Sequence, residues 1–385
     1  MLMTRAGLVM VALAMLGASS GAATYPCGGS PCGHGAWPPA TWRPYAAGSA
    51  FNRRIPARAP RLASSPRIIT RILGDIAAND QPGNLLTPQN GIAGWPTYWG
   101  RATDPVYTIH CTHAQWGRCS VEGMRVHAPA GAVIQGGNNA PRSTDRHLTI
   151  IDQTSGREID LWHVDESPLP PGGGSITAEF GGYTMLNGDG REIGTGEGTA
   201  SRLGNIAGRV RLEELEAAIA SRGYINHALS IVVDCTSGAT VYPAGDNPGQ
   251  VCKSPHDAPP MGARLRLDLP PAAVNALPIP EWKKVFLRTL VVYGAIINDT
   301  GSSFYFDWQI ESDLQYRSVN GSSPWLAFGE RQHAIPHNDW VGDTHWPGGG
   351  TYTGTWQRTN DGIDWTTAVW SKLEVVDPCV SRGNC

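Results

Sequence analysis

Two runs of alternating character, Asp145-Arg146-His147-Leu148-Thr149-Ile150-Ile151-Asp152 and Arg157-Glu158-Ile159-Asp160-Leu161-Trp162-His163-Val164, flank the turn-forming Gln153-Thr154-Ser155-Gly156. This pattern predicts a β-hairpin, and with Asp152 opposite Arg157 the pleat sorts the side chains into two faces. Leu148, Ile150, Ile159 and Leu161 form an apolar face for a core. His147 and Thr149 share the other face with Asp160 and Trp162, with Asp145 one pleat further along. A base, a carboxylate and a broad flat ring side by side suit a sugar-binding cleft. They also suit an ordinary hydrogen-bonded polar face, and a slip of one residue would regroup them.

The chain opens with Arg5, an apolar run from Gly7 to Leu16 and small residues through Ala23, so residues 1–23 are expected to be a signal peptide and the protein secreted. The run is too short for a membrane span, and no membrane association is expected. Eight cysteines fall into four close pairs, Cys27/Cys32, Cys111/Cys119, Cys235/Cys252 and Cys379/Cys385. In an oxidising compartment this spacing predicts short-loop disulfides, ahead of a zinc site built on Cys111, His113 and Cys119. A net charge of −3 gives no field to gather nucleic acid. Abundant Gly, Pro and Trp point to many turns and many aromatic platforms.

Residues 24–48 read as a Pro/Gly-rich arm, 49–320 as the main domain, and 321–385 as a Trp/Gly-rich extension or extra strands of the main sheet. Ser49 to Pro56 reads as an opening strand. Ser65-Pro66 begins an amphipathic helix to about Ala78. Strands are expected over 105–110, 124–127, 224–233, 263–269 and 304–311, and helices over 211–222 and from Pro280 to about Gly294. Residues 168–208, with many glycines, read as a loop lining a cleft. Asn298-Asp299-Thr300-Gly301 reads as a turn. The expected fold is mainly β, a β-sandwich or jelly roll with a few peripheral α-helices, stapled by disulfides.

Hydrolysis of a glycosidic bond commonly takes two carboxyl groups. Strand alternation offers Asp160 and Glu311 as that pair, with Asp145 and Asp299 in reserve and His147 and His227 to relay protons. Trp162 and Tyr305 could stack on sugar rings, and Asp307, Gln309, Arg264 and Arg266 could bind hydroxyl or acid groups. Each is equally a candidate for the polar side of a half-buried sheet. His227, on an apolar face, reads first as a hydrogen-bonded core histidine. Glu158-Ile159-Asp160 matches the opening of the Glu-x-Asp-x-x-Glu strand of one glycoside hydrolase family. Trp162 and His163 stand where the closing acid belongs, so the likeness is read as chance. His333, His337, Asp339, Asp343 and His345 match no metal-ligand spacing, and no metal or other cofactor is expected. No Gly-x-Ser-x-Gly elbow supports serine hydrolase chemistry.

Five phrases together resemble a family of secreted bacterial proteins, from actinobacteria and other soil bacteria, mostly known as hypothetical proteins. They are Asp145-Arg146-His147, Ile225-Asn226-His227-Ala228-Leu229, Pro260-Met261-Gly262-Ala263-Arg264-Leu265, Val292-Tyr293-Gly294-Ala295 with Asp299, and Gln309-Ile310-Glu311-Ser312. The resemblance covers about residues 49–315. It implies a sandwich or jelly-roll body and a polysaccharide-related role outside the cell, and it adds weight to Asp145, His147, His227, Asp299 and Glu311. The expected function is a monomeric glycoside hydrolase acting on an extracellular polysaccharide. The alternatives are a polysaccharide lyase with His147 or His227 as base, and a carbohydrate-binding or wall-associated protein without chemistry.

Overall fold

A computed structural model describes residues 27, 32, 37–78, 87–89, 95–113, 115, 117–138, 140–193, 199–301, 307–309, 315, 328, 331, 341–345, 351–355 and 369–385. The expected signal peptide lies outside the described residues. In chain order the first strands are β1 (Thr87–Gln89), β2 (Thr97–Gly100), β3 (Val106–Cys111), β4 (Arg125–His127) and β5 (Leu148–Asp152). Next come β6 (Arg157–Trp162), β7 (Gly174–Ala178), β8 (Phe180–Met185), β9 (Leu229–Val233) and β10 (Arg264–Leu267). The last are β11 (Ala295–Thr300), β12 (Asp307–Gln309), β13 (Val341–His345), β14 (Thr351–Thr355) and β15 (Leu373–Val375). Five described α-helices accompany them: α1 (Ser65–Ala78), α2 (Leu212–Ala220), α3 (Pro271–Asn275), α4 (Glu281–Val292) and α5 (Pro378–Arg382).

The strands build a six-stranded sheet in the order β1-β12-β9-β11-β10-β15, a four-stranded sheet β2-β5-β6-β8 and a three-stranded sheet β4-β3-β7. All three mix parallel and antiparallel pairs, and β13 pairs separately with β14. The four- and three-stranded sheets share one core: Leu148, Ile150, Ile159 and Leu161 meet Tyr107, Ile109, Val126 and Ile176. Burying each such aliphatic side chain is worth about 1.5–3 kcal/mol. The opposite face of the four-stranded sheet gives Trp99 and Ile151 to a larger core. That core also takes in the six-stranded sheet and the apolar sides of α1, α2 and α4. The protein is therefore strand-rich with few helices. Its four expected cysteine pairs are all disulfides, which removes the zinc reading of Cys111 and Cys119. No described helix is long and apolar enough to cross a membrane.

Local chemistry sets the element ends. Helix α4 buries Trp282, Val285, Phe286 and Leu290, a helical spacing, and stops before Gly294. Gly294 has φ +70°, and a Cβ there would lie 2.3 Å from the Leu265 carbonyl oxygen. The chain then turns straight into β11. The expected turn at Asn298–Gly301 is thus the end of a strand, with Asp299 opposite Val232. The apolar run Ala295-Ile296-Ile297 is too short to separate helix from strand by periodicity. The glycine-rich stretch expected to be loop contains β7 and β8. Gly181 and Gly182 sit inside β8 because neighbours press close: a Cβ on either would lie 2.7 Å from the Asp160 carbonyl oxygen or the Glu192 carboxylate, respectively. Ala50–Asn52 is a 3₁₀ turn rather than part of an opening strand. Residues 224–228 precede β9 without joining it.

Trp37 and Tyr45 of the arm lie in the larger core, and β15 of the tail pairs with β10. The closing helix α5 is capped by Asp377, whose carboxylate accepts the Cys379 N–H at 2.9 Å. Asp377→Ala is expected to cost about 1 kcal/mol in urea unfolding.

Candidate functional site

The hairpin has the register that its turn implies: Asp152 opposite Arg157, Thr149 opposite Asp160, Leu148 opposite Leu161. His147, Thr149 and Ile151 therefore share a face with Glu158, Asp160 and Trp162. Strand β2 adds Thr97 and Trp99 to this face, and β8 adds Thr184 and Gly182.

The middle of the face is closed. Asp160 and Glu158 are both 0 % exposed beneath residues 203–209. Asp160 accepts the Thr149 hydroxyl at 2.8 Å and the Asn205 N–H at 3.2 Å. Glu158 accepts the Tyr45 hydroxyl at 2.5 Å and the Ile206 N–H at 2.7 Å. The Asn205 amide donates to the Thr149 oxygen at 2.7 Å, completing the network. Gly204 is required here, since a Cβ would lie 2.3 Å from the Tyr45 oxygen and 2.6 Å from Glu158. Burial pushes the Asp160 carboxyl up to about 6. Burial first, and then the Asp160 charge, holds Glu158 well above the usual carboxylate range. The two acids thus bind protons readily, and the covering segment hangs from them by its backbone.

Arg209 links this network to the edge of the sheet. Its guanidinium donates to the Trp95 carbonyl at 2.6 Å and the Thr97 hydroxyl at 2.8 Å, and lies over the Trp95 ring. His147 is 5 % exposed and packs against the same ring, centroids 4.2 Å apart. Burial lowers its pKa to about 4, so the imidazole is neutral at pH 7. Its Nδ1 has no hydrogen-bond partner among the described residues. Trp42, Trp99, Ile206, Arg209 and Arg211 border a crevice beside this layer.

The accessible part is the end of the hairpin. Trp162 is half-buried, and its indole N–H donates to exposed Asp145 at 3.3 Å. Its ring stacks on His163, centroids 3.7 Å apart and 20° between planes. His163 Nδ1 lies 3.1 Å from one Glu179 oxygen, and His113 Nδ1 lies 3.6 Å from the other. Both strand ends leave the ladder through left-handed residues, Arg146 at φ +50° and His163 at φ +52°. Such non-glycine backbone persists only where its surroundings hold it, and it is concentrated at functional sites. The result is a ring stack with one carboxylate at the indole N–H and another at the imidazole.

Several expected site residues lie elsewhere. His227 is 1 % exposed; its Nδ1 donates to the Ala228 carbonyl at 2.8 Å, and its Nε2 lies 3.2 Å from Glu214. Arg211 also pairs with Glu214, so His227 is a core histidine in a buried ionic group. Arg264 and Arg266 are buried rather than open to a ligand. Arg264 donates to the Tyr293 and Arg53 carbonyls, and Arg266 pairs with Glu374. Asp299 belongs to the six-stranded sheet and binds the N–H of Thr300. Asp307 and Gln309 lie on β12, also in that sheet. Tyr305 and Glu311 lie outside the described residues, as do His333, His337 and Asp339. Among the described residues no group of three His, Cys, Asp or Glu is arranged to hold a metal ion.

Glu179, His163, Arg209, Tyr45 and Asn205 were not singled out from the sequence. Only Glu158 carried a usable signal, its two-residue spacing from Asp160. Comparison of the chain with protein families, with curated proteins and with solved structures returned no match.

Proposed function

We propose that the protein is a secreted, carbohydrate-active enzyme with a sandwich or jelly-roll body, which hydrolyses an extracellular polysaccharide at the Trp162 end of the hairpin. The supporting observation is the half-buried Trp162 ring stacked on His163, with the Asp145 carboxylate at the indole N–H and the Glu179 carboxylate at His163. A sugar ring lays its apolar face on such an indole. One carboxyl group would then protonate the leaving oxygen while the other activates water or attacks the sugar. Asp160 has the raised pKa of a general acid, but it touches a polymer only if residues 203–209 lift away.

That closure favours a second reading, a glycan-binding protein that uses the same ring without chemistry. Incubation with plant, algal and cell-wall polysaccharides separates the readings. New reducing ends without unsaturated uronates support hydrolysis, and both signals together indicate a lyase. Retention on a glycan with neither signal indicates a binder. In a hydrolase using the acids beside Trp162 and His163, Asp145→Asn and Glu179→Gln abolish the reducing ends. If those variants keep full activity while Glu311→Gln loses it, the acids at Trp162 are not the reacting pair.

A further inference from the structure

A second surface of the molecule gathers cations rather than acids. The stretch Gly48–Arg53, the turn Asp189–Arg191, Tyr242 and the end of α5 meet there. Ser49 Oγ donates to the Asp189 carbonyl at 2.6 Å. Arg53 donates through Nε to the Gly48 carbonyl and through Nη1 to the Arg382 carbonyl, both at 2.8 Å. These bonds hold the Arg53 guanidinium against Gly383, where a Cβ would collide with it. The Arg191 guanidinium lies over the Tyr242 ring, 5.7 Å from its centroid. Burial and the Asp189 carboxylate raise the pKa of the Tyr242 hydroxyl, and the nearby guanidinium groups of Arg53, Arg191 and Arg382 oppose them. Arg191 and Arg382 are exposed and form no ion pair among the described residues.

This concentration is unexpected in a chain of net charge −3. Guanidinium groups make forked hydrogen bonds to planar carboxylates and to sulfate oxygens. The Tyr242 ring beside them offers a flat apolar surface for a sugar. We propose that Arg53, Arg191 and Arg382 around Tyr242 form a binding subsite for an anionic polysaccharide carrying carboxylate or sulfate groups. The proposal rests on the extracellular glycan reading, but it uses a different part of the sheet. Residues 189–191 follow the end of β8, where Met185 pairs with Arg157, whereas Trp162 pairs with Phe180 at its start. The two surfaces can therefore fail separately.

The test is affinity electrophoresis of the full chain at low salt through polygalacturonate, dextran sulfate and neutral dextran. Retardation is expected with at least one anionic polymer, relieved by added salt, and absent with neutral dextran. The polymer preferred tells carboxylate from sulfate. The double variant Arg191→Glu with Arg382→Glu should bind about tenfold more weakly or worse, with an unchanged melting temperature. Trp162→Ala should leave this retardation as it was, even where it abolishes action on the polymer found in the glycan panel. The proposal is overturned if neither anionic polymer slows the protein, or if the double variant is slowed as much as wild type. It is equally overturned if single-stranded DNA competes as well as the polysaccharides, because the patch would then read charge alone.

Discussion

Asp160→Asn is expected to gain stability relative to wild type as pH rises from about 4 to about 6, by an amount on the order of 3 kcal/mol. The Asp160 carboxyl has its pKa raised from 3.8 to about 6 by burial. A carboxyl raised in this way favours the folded state while protonated. Its contribution is complete below pH 3.8 and is lost as pH climbs through 6, because the folded chain must then hold a buried charge. Glu158, displaced in the same direction, adds to the slope. Asparagine has no proton to lose, so the variant escapes the decline, although it gives up one acceptor of the Thr149 and Asn205 bonds.

His147 provides the control with opposite sign. Its pKa falls from 6.5 to about 4, so the fold favours the neutral ring. That contribution is complete above pH 6.5 and is lost as pH falls toward 4, again on the order of 3 kcal/mol. The two groups work against each other over nearly the same range in wild type, and each substitution exposes the other. Relative to wild type, His147→Gln should gain stability on acidification and Asp160→Asn on neutralisation. Urea unfolding at half-unit steps from pH 4 to pH 7 reads both differences. Profiles that stay parallel for wild type and both variants would mean that neither group is buried in the way described.

The hairpin was the most legible part of the chain because its turn fixes one register and alternation does the rest. From that register Thr149, Asp160, Trp162 and His147 fall on one face without further information. The contents of the layer above them were not legible. Tyr45 and Arg209 reach this face from far along the chain, and nothing local marks them as its partners. Residues 199–208 read as cleft lining because they are rich in glycine and polar groups. The same composition serves a tight cover: Gly204 lets the backbone approach Glu158, and the N–H groups of Asn205 and Ile206 need buried acceptors, which the acids supply. The strands β7 and β8 were hidden by glycines that permit close packing. His227 followed its apolar neighbours into the core, as strand alternation suggested and as the family resemblance did not.

Trp162→Ala should weaken binding of the polysaccharide identified in the panel by about 30-fold, or about 2 kcal/mol. The indole is half-buried at the end of β6, so its removal takes away a contact face without opening the core. Three further substitutions distinguish a platform from a merely structural ring. Trp162→Phe keeps an aromatic face over His163 but loses the N–H that Asp145 accepts, so it should fall between alanine and wild type. Asp145→Asn retains a neutral acceptor for that N–H and should cost binding only about threefold while removing a carboxyl needed for chemistry. Arg191→Glu should leave a neutral glycan's affinity at Trp162 unaltered, since the two surfaces lie toward opposite ends of β8. Binding by isothermal titration, measured beside product release, therefore assigns separate roles to ring and acid. If alanine at position 162 binds as tightly as tryptophan, the glycan does not lie on this ring, and the acids beside it lose the reason for their assignment.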